Sequence, residues 1–492
     1  MLRSVASRLV RSSTRTARQA RPAALPRRAL PPSHSQLRAF SATPLRLQAS
    51  QQTWPIVKDD WKTLPYLTLQ VPTGPETKLS YMWLRDHCRE DRSYHPKTKQ
   101  RLVDTYQIPE KIRPDAVEAK EDGLYVTWPE SSFETSYTSF YPWSFLVEFS
   151  HNPPLVKRNE ARPGRMQKIE WSNTVSRRLP NLPPITYDSV MESDKGVYDW
   201  LKRIDIYGFA LVSGIPPTPE ATEQLIRRIA FIRVTHYGGF WDFTANLEHG
   251  DLAYSDVRLE GHTDTTYFTD PCGLQLFHLL SPKDTHTGGD NLLIDGFRAA
   301  HLLKLRNPRA YEFLSEVATP SHASGSGSAS LPSGVHMRPL RSFPVFSHNE
   351  YGELVMVRWN SEDRATLGGQ GMKGKLPDRW YTAARAFEKI LRSDEAQLWT
   401  PMEPGTAVIF DNHRVLHGRS AFSGSRRLCG AYISGDDYRS RLRGLERQYG
   451  SVEDGSTWHL ERQGVATAME RFGIAQTKGA GAEKGGAWED YL

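Results

Sequence analysis

Over most of this chain apolar positions come in short runs broken by Gly, Pro, Asn or Asp, and helical spacing is confined to a few stretches. "YLTLQVP" (66–72), "KLSYMWL" (78–84) and "GLYVTWP" (123–129) alternate or run apolar between turn residues, which predicts a small β-rich domain over residues 54–150. Residues 151–184, rich in Pro and Arg, read as a linker and entry loop. "YDSVMESDKGVYDWLKRI" (187–204) predicts a helix and "GFALVSG" (208–214) a buried strand. A further helix is expected from Thr218, an N-cap with Pro219 in the first turn, to about residue 232. From 250 to 437 the pattern is mostly strand: "GLQLFHLL", "NLLIDGF", "LVMVRW", "AVIFD" and "CGAYIS". One helix interrupts it, "DRWYTAARAFEKILRS", in which Trp380, Ala384, Phe387 and Leu391 share a face. "SHASGSGSASLPSG" (321–334) has the composition of a flexible surface loop, and residues 476–492 that of a disordered tail. Many strands with few flanking helices predict a mainly β fold with a double-sheet, jelly-roll core.

Charge changes the picture at one end only. Residues 1–58 contain no acid, and residues 1–50 carry ten arginines. Without those fifty residues the chain has 53 basic and 56 acidic side chains, so the formal +7 belongs to the leader. The Arg- and Ser-rich "MLRSVASRLVRSSTRTARQA" has the composition of a mitochondrial transit peptide, with a basic disordered arm as the alternative. A nucleic-acid role is not implied by a charge that sits in such a segment. No run approaches the roughly 20 apolar residues of a membrane span. Cys88, Cys272 and Cys429 are too few and scattered for a disulfide framework, which favours a reducing compartment.

Chemistry gathers at "GHTDTTYFTD" (261–270). In an extended segment His262 and Asp264 point to one side and offer an imidazole and a carboxylate to one spot. A non-haem Fe(II) site needs a second histidine and keeps three coordination positions open. "FDNHRVLHGRSAF" (410–422) offers two, His413 and His417. Arg426 in "RRLCGAYIS" has the fork that clamps a dicarboxylate, although Arg426 or Arg427 in a surface ion pair is an equal reading on position alone.

"YMWLRDHC", "HTDTTYFTDPCGLQLFHLL", "GGDNLLIDGF", "FDNHRVLHGR" and "RLCGAYISGDD" together resemble the Fe(II)/2-oxoglutarate oxygenases of carnitine biosynthesis, over about residues 54–445. The resemblance is to the trimethyllysine-hydroxylating branch first and the gamma-butyrobetaine branch second. It implies a double-stranded β-helix core over 170–445, and Fe(II) held by His262, Asp264 and His417, the histidine followed by Gly-Arg. It also implies 2-oxoglutarate held by Arg426 and Asn291, and ascorbate to keep the iron reduced. Tyr237, Trp241, Tyr254 and Tyr432 align with an aromatic cage for trimethylammonium, whose recognition rests on cation–π attraction. Asp251, three residues before Tyr254, stands where the gamma-butyrobetaine branch has a neutral Asn, and an anion there favours the α-ammonium of trimethyllysine. Arg358 or Asn360 in "VRWNSED" is a candidate for the substrate carboxylate, with a structural role in the strand as the alternative.

Three departures from the family pattern stand out. His413 replaces a Trp, Asn291 replaces Thr or Ser, and a zinc-binding Cys run with a later His is reduced here to Cys88, Glu90, Ser93 and Ser132. Zinc is therefore not expected. The implied reaction is hydroxylation of trimethyllysine at C3 with O2, giving succinate and CO2, in the mitochondrial matrix, with no nucleic acid and no membrane span. A homodimer is the one assembly left open. Gamma-butyrobetaine hydroxylation is the alternative activity, and a metal-free jelly-roll binding protein the alternative class.

Overall fold

A computed structural model describes residues 53–130, 135–157, 168–244, 256–325, 334–368, 377–454 and 456–475. The leader, the tail, Ser132, Asp251 and Tyr254 lie outside the described residues.

Two facing antiparallel sheets form the core. The strands are β1 (Ile185–Thr186), β2 (Phe209–Ser213), β3 (Ile232–Arg233), β4 (Trp241–Thr244), β5 (Leu259–His262), β6 (Leu274–Leu279), β7 (Asn291–Asp295), β8 (Leu398–Thr400), β9 (Thr406–Asp411), β10 (Val415–Arg419) and β11 (Arg427–Ile433). The larger sheet runs β4-β11-β6-β9-β2-β1, with β3 also on β11, and the smaller runs β5-β10-β7-β8. β1 and β2 pair in parallel, as the one exception to the antiparallel pattern among these strands. Alternation sends Phe209, Val408 and Phe410 of the larger sheet and Leu293, Leu398 and Val415 of the smaller into one buried cluster between them. The jelly-roll expected from the strand-rich pattern is the fold observed.

Helices cover both outer faces. Tyr187–Glu192 and Asp194–Tyr207 lie against the larger sheet, and the single helix expected there is broken at Ser193. Ser193 is extended, and its Oγ accepts from Gly196 N at 3.0 Å, so it caps a new helix. Thr218 caps Pro219–Arg227 as expected, but that helix ends five residues early. On the smaller sheet, Pro377–Leu391 is joined by Gly296–Arg306 and Pro308–Glu316, two helices that the pattern did not separate from the apolar run of β7. Asp295 and Asn307 cap them, and Pro308 occupies the first turn of the second.

The small β-rich part has two three-stranded sheets. "KLSYMWL" is not one strand: Ser80 Oγ accepts from Trp83 N and starts the helix Tyr81–Asp86. Residues of the C-terminal helix Thr457–Arg471 and its exit, among them Val465, Met469 and Phe472, complete this core. The stretch read as a linker also packs: Trp171 is buried between the sheets with Val175. In the Gly/Ser-rich segment, Ala323–Gly325 pairs with Val335–Met337, and Ser321 Oγ donates to Thr266 O at 2.9 Å. Its two flanks are thus ordered, because they pair with each other and with the loop after β5. Among the described residues no helix is long and apolar enough to cross a membrane.

Candidate active site

Register brings the first two groups together. His262 on β5 pairs directly with His417 on β10, and their rings are 4.4 Å apart, centroid to centroid. Asp264 arrives differently from the expectation. β5 ends at His262, and Asp264 stands on a bend whose next residue, Thr265, has φ +56°. That left-handed backbone is unfavourable for a β-branched residue and is held from several sides. Thr265 Oγ1 accepts from Cys272 N at 2.9 Å, and Thr263 N donates to Trp359 O at 2.7 Å. Asn412 clamps the aspartate itself, accepting from Asp264 N at 2.8 Å and donating to Asp264 O at 3.1 Å. Sequence reading passed over Asn412; its place in "FDNHR", between β9 and β10, was the available signal.

The result is a cluster in which Asp264 Oδ1 lies 3.4 Å from His262 Nε2 and 3.7 Å from His417 Nε2. Ligand atoms of the three residues all lie within 4.8 Å of one another, close to the span that a single ion with bonds of roughly 2.1 Å bridges. His262 Nδ1 is 2.8 Å from Glu260 O, which places a proton on Nδ1 and turns Nε2 toward the cluster as the atom a metal would take. His417 Nδ1 is buried with no hydrogen-bond partner among the described residues, so that ring is not committed to the protein. Burial opposes charge on His262, but the hydrogen bond and charge of Asp264 outweigh it and raise its pKa to about 9. Burial and the charge of His262 push His417 down to about 3. Burial also works against the Asp264 carboxylate, yet His417 and His262 hold it well below the usual range. A carboxylate that makes its own cation from a neighbouring imidazole is a site whose chemistry suits a divalent metal.

One cavity of about 180 Å³ contains this cluster, many times what a water needs. His262, Asp264, His417, Asn291, Arg426, Tyr237, Trp241 and Tyr432 all line it. Toward the Gly-Arg end of β10, Arg419 pairs in register with Asn291, and Arg426 is buried beside them. Arg426 donates to Gly289 O at 3.0 Å, while its Nε is buried without a partner among the described residues. Gly289 has φ +78°, and a Cβ there would come within 3.0 Å of that Nε, so glycine leaves the guanidinium its place. Burial and the Arg419 charge pull Arg426 down to about 10, so it remains a cation at neutral pH that is short of an anion. Arg419 was legible in "HGRSAF" but was not singled out. Arg427 is the surface ion pair, with Asp242 at 2.5 Å.

Another part of the lining is aromatic. Trp241 meets Tyr432 edge-on at 6.2 Å between centroids and Phe277 at 5.1 Å. Gly430, which pairs with Trp241, has no room for a Cβ: one would lie 1.9 Å from Leu276 O and 2.4 Å from the indole. Tyr237 OH lies 3.4 Å from the hydroxyl of Tyr267, a further wall residue that sequence reading left out. Glu260, Glu362, Asp363 and Asn360 also line the cavity. Arg358 does not; its guanidinium donates to the carbonyls of Thr266, Phe268 and Thr269 and holds the metal-side loop in shape. His413 stands outside the cluster as well, buried between Pro271 O at 3.2 Å and Arg439 at 3.2 Å. In the small domain, Cys88 is buried with Ser139 Oγ 3.2 Å from its Sγ, Glu90 accepts from Phe140 N, and Ser93 Oγ is 3.4 Å from Arg85.

Residues 174–432 match the family model described as "Taurine catabolism dioxygenase TauD, TfdA family", and residues 62–147 match "Gamma-butyrobetaine hydroxylase-like, N-terminal". The chain is 42% identical to the trimethyllysine dioxygenase of Neurospora crassa, over 76% of this chain and 82% of that protein. Identity to the mitochondrial trimethyllysine dioxygenase of Homo sapiens is 36%, covering 75% and 83%. Against the gamma-butyrobetaine dioxygenase of Pongo abelii it falls to 27%, covering 76% and 92%.

Proposed function

Because this chain belongs to the trimethyllysine dioxygenase family of Fe(II)- and 2-oxoglutarate-dependent oxygenases, we propose that it hydroxylates N6,N6,N6-trimethyllysine at C3, the first step of carnitine biosynthesis. The observation that carries this reading is the make-up of one cavity. It is lined by the buried guanidiniums of Arg419 and Arg426, by the His262/Asp264/His417 cluster and by the aromatic rings of Tyr237, Trp241 and Tyr432.

Each group does one task. His262, Asp264 and His417 would hold Fe(II). The chemistry supplied by the bound metal is activation of O2 at the expense of 2-oxoglutarate, which leaves as succinate and CO2. Arg426, with Arg419 and Asn291, receives the far carboxylate of 2-oxoglutarate; a buried cation with an unmatched Nε gains most from such an anion. Tyr237, Trp241 and Tyr432 are assigned to the trimethylammonium from the cavity lining and Tyr254 from the sequence alone, each ring worth roughly 0.5–2 kcal/mol, which would fix the C–H bond that reacts. The acidic side chains of Glu260, Glu362 and Asp363 at the same cavity favour a cationic substrate, and Asp251 is assigned to the α-ammonium. Ascorbate keeps the iron reduced between turnovers.

The enzyme works in the mitochondrion, and the matrix is the compartment we infer. We assign residues 1–50 to the targeting leader, 54–150 to the small domain, 170–445 to the catalytic domain and 476–492 to a tail. The test is succinate release with trimethyllysine and gamma-butyrobetaine side by side. A clear preference for trimethyllysine is expected, and Asp251→Asn should narrow it. Equal or reversed efficiencies would move the chain to the other branch. No succinate with either substrate, in Fe(II)-loaded protein, would make it a binding protein.

A further inference from the structure

Two oxygens of one carboxylate are treated differently in this site. Oδ1 of Asp264 faces both imidazoles, 3.4 Å from His262 Nε2 and 3.7 Å from His417 Nε2. Oδ2 faces the other way and accepts from the Tyr432 hydroxyl at 2.7 Å. That hydroxyl is in turn 3.3 Å from Gln275 Nε2, the residue directly opposite Tyr432 in the β6–β11 register. Tyr432 and Gln275 are both buried, at 5% and 2% exposure, so neither bond is shared with bulk solvent.

We propose that Tyr432 is a positioning residue for the metal: its phenol reserves Oδ2 of Asp264, so that Oδ1 alone is presented to the ion, and Gln275 holds the phenol in that pose. The inference rests on His262, Asp264 and His417 being the metal ligands. It adds to Tyr432 a role distinct from that of a cage wall. The physical need is clear. Asn412 fixes the backbone of Asp264 on both sides, but a backbone clamp leaves rotation of the carboxylate free. A free carboxylate can swing or chelate through both oxygens, and a chelating one would take a coordination position that the co-substrate or O2 requires. Outer partners of this kind typically govern 10–100-fold in metal affinity or activity. The ring of Tyr432 meets Trp241 edge-on, so one side chain borders both the cage and the metal ligand.

Tyr432→Phe separates the two roles, because it keeps the ring and removes the hydroxyl. The metal-free full chain is titrated with Mn(II) and free Mn(II) is read by electron paramagnetic resonance; kcat and KM are then measured on the Fe(II)-loaded protein. The expected result is a Mn(II) Kd raised roughly 10–100-fold and a lowered kcat, with KM for trimethyllysine within about threefold. Gln275→Leu, which leaves the phenol but frees its orientation, should shift the Mn(II) Kd in the same direction by less, and it carries the test if Tyr432→Phe does not fold. A Mn(II) Kd within about twofold of the parent in the folded variant, or a change confined to KM for trimethyllysine, would overturn the inference and leave Tyr432 as a cage wall. Asp264→Ala distinguishes the failures: if it too left Mn(II) binding intact, the metal assignment itself would fall.

Discussion

Two buried polar clusters lie within this jelly-roll, and they are built on opposite principles. At one end Arg414 and Asp295, both side chains fully buried, form a two-pronged pair at 3.1 and 2.8 Å. Arg414 also donates to Ile206 O and Ile169 O, while Asp295 accepts from the backbone of Trp171, Phe297 and Arg298. No polar side-chain atom of the pair lacks a partner. At the other end His417 Nδ1, Gln275 Oε1 and Arg426 Nε are buried without partners among the described residues. Unmatched buried groups cost roughly 1–3 kcal/mol each, a cost that folding alone gives no reason to bear. The closed cluster ties a cap, a helix and the incoming chain together. In the open one the unmatched Arg426 guanidinium stands in the cavity wall, where an anion would match it.

The sharpest break of this contrast is at the metal ligands. His262→Ala or His417→Ala should abolish turnover and Mn(II) binding, and His417→Ala should do so with little change in melting temperature, because its Nδ1 makes no hydrogen bond among the described residues. His413→Ala should keep Mn(II) binding. The opposite pattern at His413 and His417 would show the cluster to be wrongly drawn. Asp295→Ala should do the reverse: it strands the Arg414 charge and should cost about 3–5 kcal/mol in urea unfolding. The double change Asp295→Leu with Arg414→Met should recover much of that loss, and no recovery would mean the pair is needed for more than its mutual satisfaction.

His278 tests the closed principle by pH. It is fully buried, its Nε2 accepts from Gly405 N at 3.1 Å, and its Nδ1 is 2.7 Å from Thr222 Oγ1, a neutral ring with both nitrogens engaged. Burial lowers its pKa from 6.5 to about 4. The unfolded chain therefore binds the extra proton between those values, and stability is full above pH 6.5 and lost as pH falls toward 4. The slope approaches about 1.4 kcal/mol per pH unit, or roughly 2 kcal/mol from pH 6.5 to 5. Unfolding midpoints at those two pH values should differ in the parent and much less in His278→Gln; equal dependence would assign the effect to other groups. Arg426 tests the open principle. Arg426→Met should raise KM for 2-oxoglutarate by about 10–100-fold, as loss of a charge-assisted contact worth roughly 1.5–3 kcal/mol implies, yet leave stability equal or higher. A destabilised Arg426→Met would place that arginine with the closed cluster instead.

Much of the scaffold was legible in the linear pattern, since short apolar runs such as "GLQLFHLL" and "AVIFD", bounded by turn residues, suit strands buried on both faces and did become β6 and β9. The types and order of the chemical residues were legible too, from "HTD" through "HGR" to Arg426, as was the acid-free leader. The two helices after β7 were hidden, because their apolar positions continue a strand's run and only Asp295 and Asn307 mark the change. What tertiary structure alone decided was the meeting of side chains. The His262–His417 register, the Asn412 clamp and the Tyr432 hydroxyl all depend on segments more than 140 positions apart in the chain, and the bend that swings Asp264 off its strand leans on Trp359 as well. Periodicity reports which face of an element is apolar. Which residues then stand opposite one another is set by strand pairing and close packing across the whole sandwich, and no local pattern carries that information.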